Sequence, residues 1–244
     1  MAVSRRVESL SIHWDEVGFA RTKNVSLEGA KISELEYWNN FYSNQLAHPD
    51  KILETERTFA KYVEEFFPFS KLIVDLGAGN GRDSKYFAQR NNKVLAIDGS
   101  IASISVIKNA KLSNLETLLL DLSPQESHEH LSSEINNLRI SADFPVMIYC
   151  RFFLHSLEES AFKALIKNVQ DFLVPGDIFA TENRTTELSS YHFGTHFRRP
   201  FSNSEVLALI DPENFSITTN YESHGLSIYN GEDPKICRLL LERI

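Results

Sequence analysis

The stretch LIVDLGAGNGRDSKYFA, residues 72–88, constrains the fold of this 244-residue chain more than any other stretch. It begins with a continuous apolar run, which is typical of a strand buried on both faces of a parallel sheet. It ends with residues of helical character, and three glycines separate the two parts. A glycine-rich turn between a buried strand and a helix lets the backbone approach a ligand closely. The stretch predicts the first β–α unit of an open sheet, with a nucleotide-like ligand at its carboxyl end.

Similar β–α units follow along the chain. The five predicted buried strands are Leu72–Leu76, Val94–Ile97, Leu115–Leu120, Val146–Cys150 and Ile178–Ala180. The clearest helix has apolar residues at helical spacing from Phe162 to Leu173, with Ser156 and Glu159 as its predicted capping box. The other predicted helices are Asp83–Arg90, Ile101–Leu112, Ser204–Ile210 and an amphipathic stretch from Ile52 to Phe67.

The end of the chain changes character, because Ser216–Glu222 and Ile236–Arg243 are joined by a linker too short for a crossover helix. We predict that these strands form an antiparallel hairpin. The fold class is therefore α/β: a doubly wound, Rossmann-like seven-stranded sheet with an antiparallel last strand, helices on both faces and an N-terminal helical cap. The predicted domains are an extension and cap over residues 1–67 and a main domain over 68–244, with a substrate-loop insert at about 184–202. Residues 1–33 have no assigned role.

Composition argues against several classes of function. The net charge of −8 and the absence of a long Lys/Arg run disfavour nucleic acid as a partner. The longest apolar run, Pro145–Leu154, is too short to span a bilayer, and the N-terminus lacks the apolar core of a secretory signal. We therefore expect a cytoplasmic protein without membrane insertion. Cys150 and Cys237 lie in apolar runs and are predicted to be reduced core residues.

Histidine clusters in this sequence do not predict a metal site. His192 and His196 are four residues apart, but Gly194 between them disfavours the helix that would bring them together. The His128-Glu129-His130 stretch is interpreted as a solvated polar loop. We expect no metal.

Charges around the glycine turn select among ligands. A dinucleotide fingerprint places its third glycine one position later than Gly81, and Asp75 and Asp83 would repel a pyrophosphate at the helix start. The same carboxylates suit a ligand with positive charge and no phosphate, such as S-adenosylmethionine. A nicotinamide-dependent oxidoreductase remains the rival, and direct cofactor binding discriminates between the two.

Three motifs carry a resemblance to a known family. VDLGAGNGRD resembles the first motif of class I S-adenosylmethionine-dependent methyltransferases, VLAIDGS resembles their ribose motif, and LLLDLS resembles their adenine motif. The resemblance implies that Asp98 accepts hydrogen bonds from the ribose hydroxyls, that Asp121 and the Leu122 amide contact the adenine, and that Asp75 attracts the ammonium. The cofactor-binding candidates are Asp75, Gly77, Ala78, Gly79, Asp98, Gly99, Asp121, Leu122, Cys150 and Arg151.

Residues after the fourth and fifth strands are the candidates for chemistry. In YCRFFLHSL, His155 is a candidate general base, although a histidine near a helix start can equally be a structural hydrogen-bonding residue. The long segment after the fifth strand contains arginines that could bind an anionic acceptor group, or that could pair with the excess acidic residues instead. The catalytic candidates are His155 and His196, and the substrate-binding candidates are Tyr37, Tyr42, Tyr191, Arg198 and Arg199.

A more specific resemblance rests on YWNNFYS, RFFLHSL, HFRRPFS and EDPKICRLLLERI, which look like bacterial methyltransferases of capsule and surface-polysaccharide biosynthesis. It implies that Tyr37, Phe41 and Tyr42 form a lid over the cofactor. It also implies that His196, Arg198 and Arg199 lie near a phosphorylated, phosphoramidate or sugar-linked acceptor.

We therefore predict an S-adenosylmethionine-dependent methyltransferase that acts on oxygen or nitrogen of a small anionic acceptor. One alternative is a methyltransferase of a macromolecule, RNA or protein, although the chain lacks an Asn-Pro-Pro-Tyr segment and a Pro-Cys pair. Another is a non-catalytic relative that binds cofactor or a partner. Carboxylates retained at three strand ends argue against the second alternative.

Overall fold

The computed structural model describes residues 33–47, 58–68, 71–140, 144–185, 191–193, 196–228 and 233–244. Within these ranges, the side chains of residues 46, 191–193 and 196–197 are not described. Residues 1–32 of the predicted extension and cap (1–67) therefore lie outside the described residues, as do the predicted helix start at Ile52 and the side chains of Tyr191 and His196.

The described part of the chain contains nine strands. They are β1 (Leu72–Leu76), β2 (Lys93–Asp98), β3 (Leu115–Leu119), β4 (Val146–Arg151), β5 (Ile178–Arg184), β6 (Tyr191–Phe193), β7 (His196–Arg198), β8 (Phe215–Ser223) and β9 (Ile236–Arg243). Seven of them form one sheet in the order β3-β2-β1-β4-β5-β9-β8, and β6 pairs with β7 in a separate hairpin. Only β9 runs antiparallel to its neighbours β5 and β8, and β1 to β5 pair in parallel. The predicted fold class, its strand positions and its terminal hairpin are confirmed.

Seven α-helices flank the strands in the residues that the structure describes. They are α1 (Glu34–Ala47), α2 (Thr58–Phe66), α3 (Arg82–Ala88), α4 (Ile101–Lys108), α5 (Ser127–Ile140), α6 (Glu159–Phe172) and α7 (Asn203–Leu207), and a 3-10 turn spans Leu154–Ser156. One apolar core joins the sheet to side chains of α5, α6 and α7, and a second joins it to side chains of α2 and α3. None of the helices in the described part of the chain is long and apolar enough to cross a membrane.

Two local predictions were wrong. Ser156 does not cap α6: its hydroxyl donates to the Phe153 carbonyl at 2.7 Å inside the 3-10 turn, and Glu158 is the N-cap residue. The stretch interpreted as a polar loop begins α5, and His128 is buried, with its Nε2 3.1 Å from the Leu122 carbonyl oxygen. This helix was missed because polar residues dominate its sequence. However, Leu131, Ile135 and Leu138 do follow helical spacing.

Candidate cofactor and acceptor site

The turn between β1 and α3 requires glycine for two reasons. Gly77 and Gly79 have φ angles of +69° and +58°, in the left-handed region that favours glycine. A Cβ on Gly79 would lie 2.5 Å from the Tyr42 hydroxyl, and a Cβ on Gly77 would overlap the Phe153 ring. The turn is therefore covered by aromatic side chains from two other segments of the chain.

Asp98, the last residue of β2, fixes this turn to the sheet. Its Oδ2 accepts the Gly79 N–H and its Oδ1 accepts the Ser100 N–H, each at 2.8 Å. Burial raises the pKa of Asp98, and these two hydrogen bonds act in the opposite direction. Each carboxylate oxygen keeps a further lone pair, so the group can still accept bonds from two ligand hydroxyls.

Asp121 follows β3 and lies beside the β2–α4 turn. Its Oδ1 accepts the Ser123 N–H at 2.9 Å, and its Cα lies 3.4 Å from where a Cβ on Gly99 would be. Asp98, Gly99 and Asp121 line a cavity of about 510 Å³, together with Gly77 and Leu122. This space suits a ligand of nucleoside size.

Aromatic residues of α1 form another wall of the cavity. Trp38 and Tyr42 line it, and their rings stack with centroids 6.0 Å apart. The helix is held in place by Asn39, whose Oδ1 accepts the hydroxyl of Ser100, the N-cap residue of α4, at 2.8 Å. The sequence resemblance predicted Tyr42 near the cofactor. Trp38 was not among the predicted residues, although it lies in the same YWNNFYS stretch.

The end of β4 contributes different residues from those predicted. Cys150 is fully buried in the core, and burial raises the pKa of its thiol well above the usual range. The Arg151 side chain pairs with Glu182, with Nε 2.8 Å from Oε1. Among the described residues, those from this segment that line the cavity include Phe152 and Phe153, rather than Cys150 or Arg151. Sequence reasoning missed both phenylalanines because apolar residues after a buried strand look like core.

Phe152 also has an unusual backbone. Its φ is +52°, which costs on the order of 1–3 kcal/mol for a residue other than glycine. Its N–H donates to the Glu182 carbonyl at 2.8 Å, which extends the pairing of β4 with β5 into the turn. Strained residues of this kind cluster at functional sites.

Asp75 lies beneath the glycine turn and is buried. Burial raises its pKa to about 7; Asp83 and Asp98 also raise it, while the Ser84 hydroxyl and Arg151 lower it. Its carboxylate accepts a hydrogen bond from Ser84 at 2.5 Å. A buried carboxylate in a negative environment would be stabilised by a cationic ligand group above it.

The two arginines predicted to bind the acceptor, Arg198 and Arg199, have different surroundings. Arg198 lies close enough to Tyr37 of α1 to lower the pKa of that phenol, although burial, the larger effect, raises it. The Arg199 guanidinium instead pairs with Glu205 at 3.0 Å and lies 4.7 Å from the Phe162 ring centroid. Arg199 therefore fits the alternative interpretation, in which arginines of this loop pair with acidic residues.

His155 is buried, with 4 % of its surface exposed, and its ring packs against Phe152 with centroids 5.8 Å apart. Its carbonyl accepts the Arg199 N–H at 2.7 Å. His155 therefore joins the 3-10 turn to the segment after β7.

Comparisons with known structures find proteins of similar fold. A SAM-dependent methyltransferase from Anabaena variabilis has 17% sequence identity and a TM-score of 0.66, covering 91% of this chain and 100% of the other. The Burkholderia thailandensis 1,6-didemethyltoxoflavin-N1-methyltransferase, solved with S-adenosylhomocysteine, has 14% identity and a TM-score of 0.60, covering 85% and 87%. TehB from Haemophilus influenzae has 16% identity and a TM-score of 0.58, covering 85% and 67%. At these identities the likeness concerns the fold.

Sequence comparisons identify the family. No curated protein matches the chain in sequence. The family model described as "Tellurite resistance protein TehB" matches residues 37–189, more than half of the chain. The specific resemblance to capsule and surface-polysaccharide methyltransferases finds no support in these comparisons. The chain belongs to the TehB family and is a class I S-adenosylmethionine-dependent methyltransferase.

Proposed function

We propose that this protein transfers a methyl group from S-adenosylmethionine to oxygen or nitrogen of a small anionic acceptor. The observation that carries the proposal is the cavity, which is lined by the strand-end carboxylates of Asp98 and Asp121 and by aromatic residues of α1. The same helix also contacts the β6–β7 hairpin, which carries Arg198. The carboxylates suit the donor, and the hairpin suits an acceptor of negative charge.

The residues of the cavity fit the donor group by group. Asp98 would accept hydrogen bonds from both ribose hydroxyls, and Asp121 would accept one from the adenine amino group, beside the Leu122 amide. The backbone of Gly77, Ala78 and Gly79 would pass along the amino-acid portion, because glycine at positive φ lets a main chain approach a ligand closely. Asp75 would attract the ammonium from below. When bound, S-adenosylmethionine supplies a methyl group that is already activated by its sulfonium charge.

Orientation is then the main requirement of the reaction, and a base is needed only if the acceptor is protonated. Where the negative charge lies on the oxygen that is methylated, no proton has to be removed. A nitrogen or oxygen that carries a proton would release it to a base, for which His155 is the candidate, or to water. Arg198, which lies close to Tyr37 of α1, would hold the acceptor charge.

The names of the relatives support a small acceptor. The family is described by tellurite resistance, and tellurite is a small oxyanion. The Burkholderia relative is an N1-methyltransferase of a small heterocycle. The net charge of −8 also disfavours RNA as the acceptor.

The experiment measures formation of S-adenosylhomocysteine by the purified chain with S-adenosylmethionine and a matched acceptor panel. The panel pairs tellurite, an alkyl phosphate and a carboxylate with neutral isosteres, and adds RNA and a bulk protein. We expect turnover with an anionic small molecule. Turnover confined to RNA or protein, or equal turnover with the neutral isosteres, would contradict the proposed acceptor class.

Arg198 provides the corresponding variant. Arg198→Gln should lower kcat/KM for the anionic acceptor by roughly tenfold or more, the loss of one charge-assisted contact. The affinity for S-adenosylhomocysteine should stay within about twofold, because the guanidinium is assigned to the acceptor. Arg90→Gln is the matched control, since Arg90 pairs with Glu64 on an exposed surface. A large loss of cofactor affinity in Arg198→Gln would instead place this arginine over the donor.

A further inference from the structure

The Phe152 ring forms part of the cavity wall, although its backbone is strained at a φ of +52°. A strained residue persists only where its surroundings hold it in place. Two contacts do so here. The Phe152 N–H donates to the Glu182 carbonyl at 2.8 Å, and the Arg151 guanidinium lies 4.2 Å from the Phe152 ring centroid.

Glu182 therefore acts on Phe152 by two routes. Its main-chain carbonyl binds the Phe152 N–H directly, and its carboxylate binds Arg151, which lies over the ring. The carboxylate is fully buried, and its second oxygen accepts Arg238 Nε at 2.7 Å. Arg151 also lies 4.0 Å from Asp83, so its charge is balanced from both sides.

Buried ion pairs are expensive, because desolvation can exceed the attraction between the charges. Apolar residues of similar volume could fill the same space at the end of β4 and β5. A guanidinium held by a carboxylate differs from them in one respect: its planar face has a fixed orientation, and an aromatic ring can pack against it.

We propose that Arg151 and Glu182 are positioning residues that hold the Phe152 ring as a wall of the cofactor cavity. The inference rests on the proposed function, since the position of this wall matters only if the cavity takes the adenosyl cofactor. Arg151 is therefore not a cofactor ligand, and it influences binding through Phe152.

A double-mutant cycle tests this indirect action, with S-adenosylhomocysteine as the probe and its Kd measured by calorimetry. Phe152→Ala removes the ring and should raise the Kd by about tenfold, whereas Phe152→Tyr keeps the ring and should stay within about twofold. Arg151→Lys keeps the charge but loses the planar face, and it should raise the Kd by a similar factor to Phe152→Ala. The double variant should bind no more weakly than Phe152→Ala alone, because both changes act on the same feature, the Phe152 ring in the cavity wall.

The matched control is Arg139→Lys, which weakens another ion pair to a buried carboxylate, Arg139–Asp177 at 2.7 Å, away from the cavity. It should lower the melting temperature and leave the Kd unchanged. If Arg151→Lys does not fold, Arg151→Gln takes its place in the cycle, because it retains a donor for Glu182, whose carboxylate keeps Arg238 as its second partner.

The outcomes separate the two proposals. One outcome is that the wild-type chain binds S-adenosylhomocysteine while the double variant raises the Kd by the product of the two single factors. In that case Arg151 acts independently of Phe152 and the inference is wrong. It is also wrong if Phe152→Ala keeps the wild-type Kd. If the wild-type chain does not bind S-adenosylhomocysteine, the proposed function itself fails.

Discussion

Asp98 combines a structural and a binding role at the residue scale. Its two oxygens hold the N–H groups of Gly79 and Ser100, and it lines the cavity. Asp98→Ala should therefore weaken S-adenosylhomocysteine binding by about 1.5–3 kcal/mol, or roughly 10- to 150-fold in Kd. Glu116→Ala on β3, in an exposed pair with Lys93, is the control for a lost carboxylate. If calorimetry gave equal Kd values for Asp98→Ala and wild type, the assignment of Asp98 to the ribose hydroxyls would be wrong.

Asp75 gives the site a pH dependence. Its pKa is raised to about 7, first by burial, whereas a free aspartate titrates near 3.9. Between these values the folded state keeps a proton that the unfolded state has lost, so the fold loses stability as pH rises towards 7. Asp75→Asn should therefore stabilise the ligand-free protein at about pH 8, with no gain below about pH 4. Thermal melting at both pH values, with exposed Asp171→Asn as control, measures this difference.

The Asp75 carboxyl should also make cofactor affinity depend on pH, and this affinity should rise with pH while the stability of the ligand-free fold falls. A carboxylate attracts the ligand ammonium and a protonated carboxyl does not, so S-adenosylhomocysteine should bind more tightly as pH rises from about 6 to about 8. This dependence should be lost in Asp75→Asn. An identical pH profile in the variant and the wild type would show that another group controls binding.

Residues of the site differ in how well the sequence predicts them. Asp98 and Asp121 were predictable because a carboxylate that ends a buried apolar run stands out, and the ends of parallel strands meet at one edge. Phe152 and Phe153 were not predictable, because they continue an apolar run and nothing in it indicates a positive φ. The pairing of Arg151 with Glu182 was also hidden, since it depends on the register between β4 and β5.

At the scale of elements, α1 forms one wall of the cavity. It contacts the β2–α4 turn through Asn39 and Ser100, and the glycine turn through Tyr42. Its aromatic stretch was predicted from resemblance as a lid. Its docking partners could not be predicted, because they are distant in sequence. By contrast, the strands of the sheet were predicted well, since burial on both faces leaves a continuous apolar signal in the sequence.

Trp38 makes the position of α1 measurable. The chain contains two tryptophans, Trp14 and Trp38, and Trp38 lines the cavity. In the Trp14→Phe variant, saturating S-adenosylhomocysteine should therefore change the tryptophan emission. In Trp38→Phe, calorimetry should still detect binding. Constant emission from Trp14→Phe at saturation would show that α1 does not contact the cofactor.

At the scale of the whole molecule, the carboxyl ends of β1, β2 and β3 converge on one cavity. The ends of β4 and β5 carry the Phe152 wall and the buried charges that hold it. The three strand ends and the Phe152 wall therefore lie along one edge of the sheet. This placement follows from the reversal of strand order between β1 and β4, where open α/β sheets bind their ligands.

The most direct test of the account is thermal melting of the full chain with S-adenosylhomocysteine and, separately, with NAD. A ligand at about 100 times its Kd stabilises the folded state by roughly 2.7 kcal/mol, or about 5–10 °C for a chain of this size. We expect this shift with S-adenosylhomocysteine and none with NAD. A shift with NAD alone would contradict this expectation, because the carboxylates around the glycine turn would then tolerate the pyrophosphate that they are argued to exclude.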